Sequence, residues 1–133
     1  MKKKLIVLIA ILILSVTIDK NVHASLLEEL GQELNQRNPP YPYVISVPIQ
    51  TLPEGSVAIG VGEETYYFDK GNFYLMVMRL QKYVMVPPPI GAIVSSIPET
   101  YQLMLIEGAS YYLYNGVFYK RVLEGFKVIY PPR

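Results

Sequence analysis

Tyr111-Tyr112-Leu113-Tyr114-Asn115-Gly116-Val117-Phe118-Tyr119 is two short runs of tyrosine, valine and phenylalanine joined by Asn-Gly. Aromatic and β-branched side chains suit a pleated, half-buried surface. Asn-Gly tolerates the positive φ that both central residues of a type I′ turn require. The stretch therefore predicts a β-hairpin in which Tyr114 pairs with Val117. A two-residue turn also fixes register, so Tyr112 comes to lie across from Tyr119.

Working outward, the stretch has an earlier copy. Pro53, Tyr66, Tyr67, Gly71, Phe73 and Tyr74 recur 45 positions later as Pro98, Tyr111, Tyr112, Gly116, Phe118 and Tyr119. Beyond Tyr74 the offset slips by one, and Val84-Met85-Val86-Pro87-Pro88 matches Val128-Ile129-Tyr130-Pro131-Pro132 at 44 positions. Such repetition marks a duplicated supersecondary unit. The two units cover residues 52–89 and 97–133, with 90–96 as the connector.

Turn chemistry divides each unit into strands. Lys70-Gly71 stands where Asn115-Gly116 stands, and Gly62-Glu63 matches Glu107-Gly108, so each unit has two predicted two-residue turns. A last strand, Tyr83 to Val86 or Phe126 to Tyr130, ends at prolines that cannot donate to a ladder. The expectation is all-β: two repeated meanders of about four short strands each, packed as a small sandwich or barrel. If 106 pairs with 109, one face of the second unit carries Met104, Ile106, Tyr111, Leu113 and Phe118. The equivalent face of the first carries Val57, Ile59, Val61, Tyr66, Phe68, Phe73 and Leu75. These sets are expected to meet as the core. The opposite faces then hold two cross-strand tyrosine pairs, Tyr67 with Tyr74 and Tyr112 with Tyr119.

The hairpin motif, together with the exit Tyr83-Val84-Met85-Val86-Pro87-Pro88-Pro89-Ile90-Gly91, resembles a family of uncharacterised exported bacterial proteins. That family repeats a Tyr/Pro-rich pattern of the type YYYxxGVYY followed by GYxVVPPPxG. The resemblance spans residues 52–133 and implies no activity, cofactor or site residue. It departs from the pattern at Leu75-Met76-Val77-Met78-Arg79-Leu80, where the family has an Arg-Pro-rich, Gly-Gly connection.

Upstream, Lys2-Lys3-Lys4, an apolar run from Leu5 to Leu14 and a small-residue site at Val22 and Ala24 have the order of a cleavable signal peptide over residues 1–24. The cut is expected between Ala24 and Ser25, because the run is shorter than the roughly 20 residues needed to span a bilayer. Retention of the segment as a membrane anchor is the alternative. Residues 25–37 place Leu26, Leu27, Leu30 and Leu34 on one face of a short amphipathic helix. Residues 38–51 read as a Pro-rich linker and lead-in strand, because Asn38-Pro39-Pro40-Tyr41-Pro42 forbids helix.

Cleavage removes four of the 12 basic and one of the 11 acidic residues, leaving eight against ten, a formal charge of −2. That balance offers no footprint for nucleic acid. The chain has no cysteine, and its one histidine, His23, leaves with the signal. Thiol and histidine nucleophilic mechanisms are thereby excluded, as are ordinary zinc and copper sites, and no cofactor is expected. Carboxylates remain as acid–base groups: Glu54, Glu63, Glu64, Asp69, Glu99, Glu107 and Glu124, most of them at predicted turns.

Tyrosine combines a flat apolar body with a polar tip. Tyr67, Tyr74, Tyr112 and Tyr119 are therefore the candidate ligand-binding residues, weighed against a purely structural role in completing the core. Leu103 and Leu105 beside Tyr112 form an apolar patch that calls for burial by the helix, the other unit or a second copy of the chain. Lys120-Arg121 on a strand edge reads as a guard against edge pairing. The expected function is an exported envelope binding or structural module, periplasmic or extracellular. Its partner would be an envelope protein or glycan, with neither catalysis nor a stable membrane span. The alternatives are a carboxylate-dependent glycan or cell-wall hydrolase and a membrane-tethered accessory protein.

Overall fold

The computed structural model describes residues 25–33, 41 and 46–133. The expected signal peptide at 1–24 and its cleavage point at Ala24, along with residues 34–37 of the expected helix, lie outside the described residues.

Residues 25–33 form helix α1. Leu27 is buried in the core, and Leu30 packs against that core in company with Leu75, Val77 and Leu80. A helix this short is marginal in isolation, so its apolar stripe on the β framework is what holds it.

Among the described residues nine strands follow, in two sheets. The first sheet comprises β1 (Val57–Val61), β2 (Glu64–Asp69), β3 (Asn72–Val77) and β4 (Lys82–Val86), in the order β1-β2-β3-β4. The second contains β6 (Gln102–Ile106), β7 (Ala109–Tyr114), β8 (Val117–Val122) and β9 (Gly125–Val128), with β5 (Ile93–Val94) added beside β9, in the order β5-β9-β8-β7-β6. Neither sheet closes on itself, so the arrangement is sandwich-like rather than a barrel. β5 comes from the predicted connector, whose Ala92 carbonyl accepts from the Val128 N–H at 2.8 Å. There the chain crosses Gly125 so closely that a Cβ would strike the Val94 carbonyl.

The hairpin registers are those the turns dictate. Tyr114 faces Val117, Ile106 faces Ala109, and the pairs Tyr67 with Tyr74 and Tyr112 with Tyr119 stand directly across from each other. Asn115 and Gly116 have φ of 50° and 77°, and Lys70 and Gly71 have 46° and 92°, as a type I′ turn demands. The two units differ at their last turn. Val122 pairs with Gly125 across Leu123-Glu124, whereas Val77 pairs with Lys82 across residues 78–81. That longer turn is closed by Leu80 N–H to Val77 O at 3.0 Å and ends with Gln81 at a φ of 50°.

The core is where expectation and structure part. In the first sheet most of the expected side chains are inward: Ile59, Tyr66, Phe68 and Phe73 are buried, Val61 and Leu75 pack against them, and Val84 and Val86 join them, but Val57, on the edge strand, is 54% exposed. In the second sheet the inward face is the other one. Val117, Tyr119, Phe126 and Val128 are buried there, with Tyr112 and Tyr114 packed against them. Met104, Ile106, Tyr111, Leu113 and Phe118 are only half-buried and lie on the outward face. The expectation that these five meet the first sheet is therefore corrected. The physical reason lies in the polarity of matched positions. Asp69 and Asn72 are half-buried polar residues on the outward face of the first sheet, and the residues 45 positions later on the matching face are the apolar-bodied Tyr114 and Val117. Conversely, inward Leu75 corresponds to exposed Lys120.

Candidate binding site

The four candidate tyrosines do not form one surface. Tyr112 and Tyr119 belong to the inward face of the second sheet and Tyr67 and Tyr74 to the outward face of the first, because the units turn opposite sides to the core. Tyr119 is 0% exposed and Tyr74 only 7%. Burial raises the phenol pKa of both, helped by the Asp69 charge at Tyr74 and by Tyr41 and Tyr114 at Tyr119. Tyr112 is half-buried in an aromatic cluster, with its ring edge-on to Tyr101 at 5.1 Å and to Phe126 at 5.2 Å. Arg121 lies over the Phe126 ring at 4.8 Å.

Tyr67, half-buried like Tyr112, lies on the outward face of the first sheet beside exposed residues of β1. Its ring stands edge-on to Tyr83 at 5.4 Å and 86°, a favourable aromatic geometry. Across the ladder from Tyr67 lies Ala58, followed by Gly60, and both are exposed. A Cβ built on Gly60 would meet nothing within 4 Å. Two rings beside a low floor make a shallow platform of the kind that takes a flat partner. Tyr83 was not among the sequence candidates: the sequence placed it on the last strand of the first unit, but which face it takes depends on the length of the preceding turn.

Sequence reasoning also missed Tyr41, which it assigned to an extended linker. Its side chain is buried. The hydroxyl donates to the Ile129 carbonyl at 2.7 Å and accepts the Phe118 N–H at 2.9 Å. Ile129 N–H reaches the Phe118 carbonyl directly at 3.1 Å. One bond of this ladder pair is thus relayed through a phenol inserted between the strands. Desolvation raises the Tyr41 pKa, and the Phe118 N–H works against that rise. The Tyr119 hydroxyl, by contrast, is buried with no hydrogen-bond partner among the described residues.

A groove of about 900 Å³ runs along β1. Its walls include Val57, Ala58 and Gly60 on one side and Ile93 to Pro98 on the other. Glu54, Asp69, Glu124 and Lys70 also line it. Among the described residues no three His, Cys, Asp or Glu side chains come together as a metal-holding group. Among them, too, no helix is long and apolar enough to cross a membrane.

Residues 36–133 match the family described as "Family of unknown function (DUF6515)". The chain belongs to that family. The DUF6515 match takes in Tyr41, both sheets, the platform and the groove, so each of these features falls within the family's own domain. No curated protein and no solved structure matches the chain.

Proposed function

We propose that the protein is an exported, non-catalytic binding module of the bacterial cell envelope, a Tyr/Pro-rich repeat protein that holds its ligand against an aromatic β surface. The observation that carries this reading is the Tyr67–Tyr83 ring pair on an open sheet face, flanked by Ala58 and Gly60 rather than by side chains that would cover it. Such a platform suits the flat face of a sugar ring or a peptide side chain, where apolar contact and the phenol hydroxyls act together. The lysine-led apolar N-terminus supports export, and Ser25 is the expected first residue of the mature chain.

The test is retention on insoluble cell-wall glycan. Tyr67→Ala and Tyr83→Ala should each weaken binding about tenfold, as expected from the loss of an exposed aromatic anchor, while leaving thermal unfolding nearly unchanged. Undiminished retention by both folded variants would overturn the platform.

A second reading has its own observation. Glu54, Asp69 and Glu124 line one groove, and paired carboxylates flanking a bound sugar are the machinery of glycoside hydrolysis. Release of reducing ends from cell-wall glycan, lost in Glu54→Gln or Glu124→Gln, would favour that reading over the binding module.

A further inference from the structure

Among the described residues β1 is an edge strand whose one neighbour is β2. In this ladder Val61 faces Glu64 across the two-residue turn, and Ile59 and Val57 follow in step with Tyr66 and Phe68. In an antiparallel hairpin the residues that exchange bonds with the partner alternate with residues whose N–H and C=O point the other way. Val57, Ile59 and Val61 are thus bonded to β2, while Ala58 and Gly60 direct their backbone groups to the free edge. The same edge lines the groove of about 900 Å³. The lining also takes in a second edge, the short strand β5, which among the described residues pairs with β9 alone, followed by exposed Ser95 and Ser96.

We propose that this groove accepts an extended peptide from another protein as an added strand on β1. Three features select that occupant. Unused backbone donors and acceptors on Ala58 and Gly60 demand a partner with the repeat of a β-strand, which a peptide has and a glycan lacks. Apolar walls at Val57, Ile59, Val94 and Ile97 suit apolar residues at alternate positions of that peptide. Among the described residues of the lining, Glu54, Asp69 and Glu124 stand against one cation, Lys70, so the intervening positions should be basic. Ala58 and Gly60 have almost no side chain to obstruct an arriving strand. The edge lacks the devices that usually block such pairing: β1 contains no proline and no charged residue. The groove and the Tyr67–Tyr83 platform share Ala58 and Gly60 but draw on different groups, backbone N–H and C=O at the edge and phenol rings on the sheet face, so Tyr67→Ala and Tyr83→Ala should remove the proposed glycan contact and leave the added strand in place.

Amide hydrogen exchange read residue by residue tests the idea, with a blocked peptide of alternating lysine and valine as the probe. Added to the full mature chain, it should slow exchange at Ala58 and Gly60 by about tenfold or more, while Ile59, already in the β1–β2 ladder, changes little. An alternating glutamate–valine peptide, and a lysine–valine peptide with alternate backbone amides methylated, should each bind at least about tenfold more weakly. Gly60→Pro removes the outward donor without removing a β1–β2 bond and should abolish the protection. Glu54→Lys combined with Glu124→Lys leaves β1 untouched and should weaken binding in low salt only. The proposal is overturned by unchanged exchange at saturating peptide, or by equal binding of the methylated peptide. It is also overturned if protection appears without peptide as protein concentration rises, which would put a second copy on the edge, or if soluble glycan fragments protect the same amides.

Discussion

The two sheets descend from one repeated stretch yet present opposite faces to the core, and a one-residue slip explains why. Strands β1, β2 and β3 match β6, β7 and β8 at 45 positions, whereas Val84 matches Val128 at 44. Side chains in a strand alternate with period two, so an odd change in spacing moves a matched residue to the other face. In the first sheet Val84 shares a face with Leu75; in the second Val128 shares a face with Tyr119. Val84 and Val128 are both 0% exposed. Keeping that valine inward in both units turns the other three strands over in the second. Tyr114, Val117 and Lys120 in place of Asp69, Asn72 and Leu75 make the reversal favourable.

The sharpest way to break this comparison is a matched pair of truncations. Phe73→Ala should cost about 3–5 kcal/mol, the range for emptying an aromatic from a packed core. Phe118→Ala, its half-buried counterpart on the outward face, should cost less than half as much. Equal losses in urea denaturation would mean that both units bury the same face.

The turn glycines give the next contrast. Gly71 and Gly116 occupy matched turns with φ of 92° and 77°. Around Gly116 there is open space, but a Cβ on Gly71 would enter the Tyr114 ring. Gly116→Ala should therefore cost about 1 kcal/mol from backbone strain alone, and Gly71→Ala clearly more. Replacing Tyr114 by Leu in the Gly71→Ala background should recover part of the difference.

Two buried phenols sharpen the account of the second sheet. Tyr41→Phe breaks the relay between Phe118 and Ile129 and should lose about 1–3 kcal/mol. Tyr119→Phe removes a hydroxyl that has no partner among the described residues and should be neutral or stabilising by about 1 kcal/mol. Opposite signs in thermal unfolding are the signature.

The smallest effect is on pH dependence. Tyr41, Tyr74 and Tyr119 all titrate above the ordinary value of 10.0 when folded. The folded chain therefore keeps phenol protons that the unfolded chain has begun to release. Stability from this source is complete below about pH 10 and declines as pH rises beyond it. Denaturation followed from about pH 9 to about pH 11 should show that decline, and Tyr41→Phe should make it shallower.

Much of the fold was legible in advance because it rests on local chemistry. Asn115-Gly116 and Glu107-Gly108 set their turns, the turns set the pairing, and Tyr112 meets Tyr119 as a result. The slip in offset was legible as well, but its consequence for the faces was not drawn from periodicity alone, since both faces of each unit carry aromatic residues. Tyr41 was hidden by its prolines, which describe an extended backbone and say nothing about where the side chain inserts. The patch at Leu103 and Leu105 was legible as apolar, but it stays 63% and 74% exposed because helix α1 packs beside Leu75 and Leu80 instead.

By itself the sequence determined two meandering units, their strand boundaries to within a residue or two at most ends, and the partners across the four turns it identified, though not across Leu123-Glu124. These follow from φ preferences and side-chain alternation, which act between neighbours. Only the tertiary structure decided which face of the second sheet is inward, where Tyr41 lodges, and that β1 and the connector leave a groove between them. Those depend on which surfaces exclude water from one another, and no short-range rule specifies that when each face could serve.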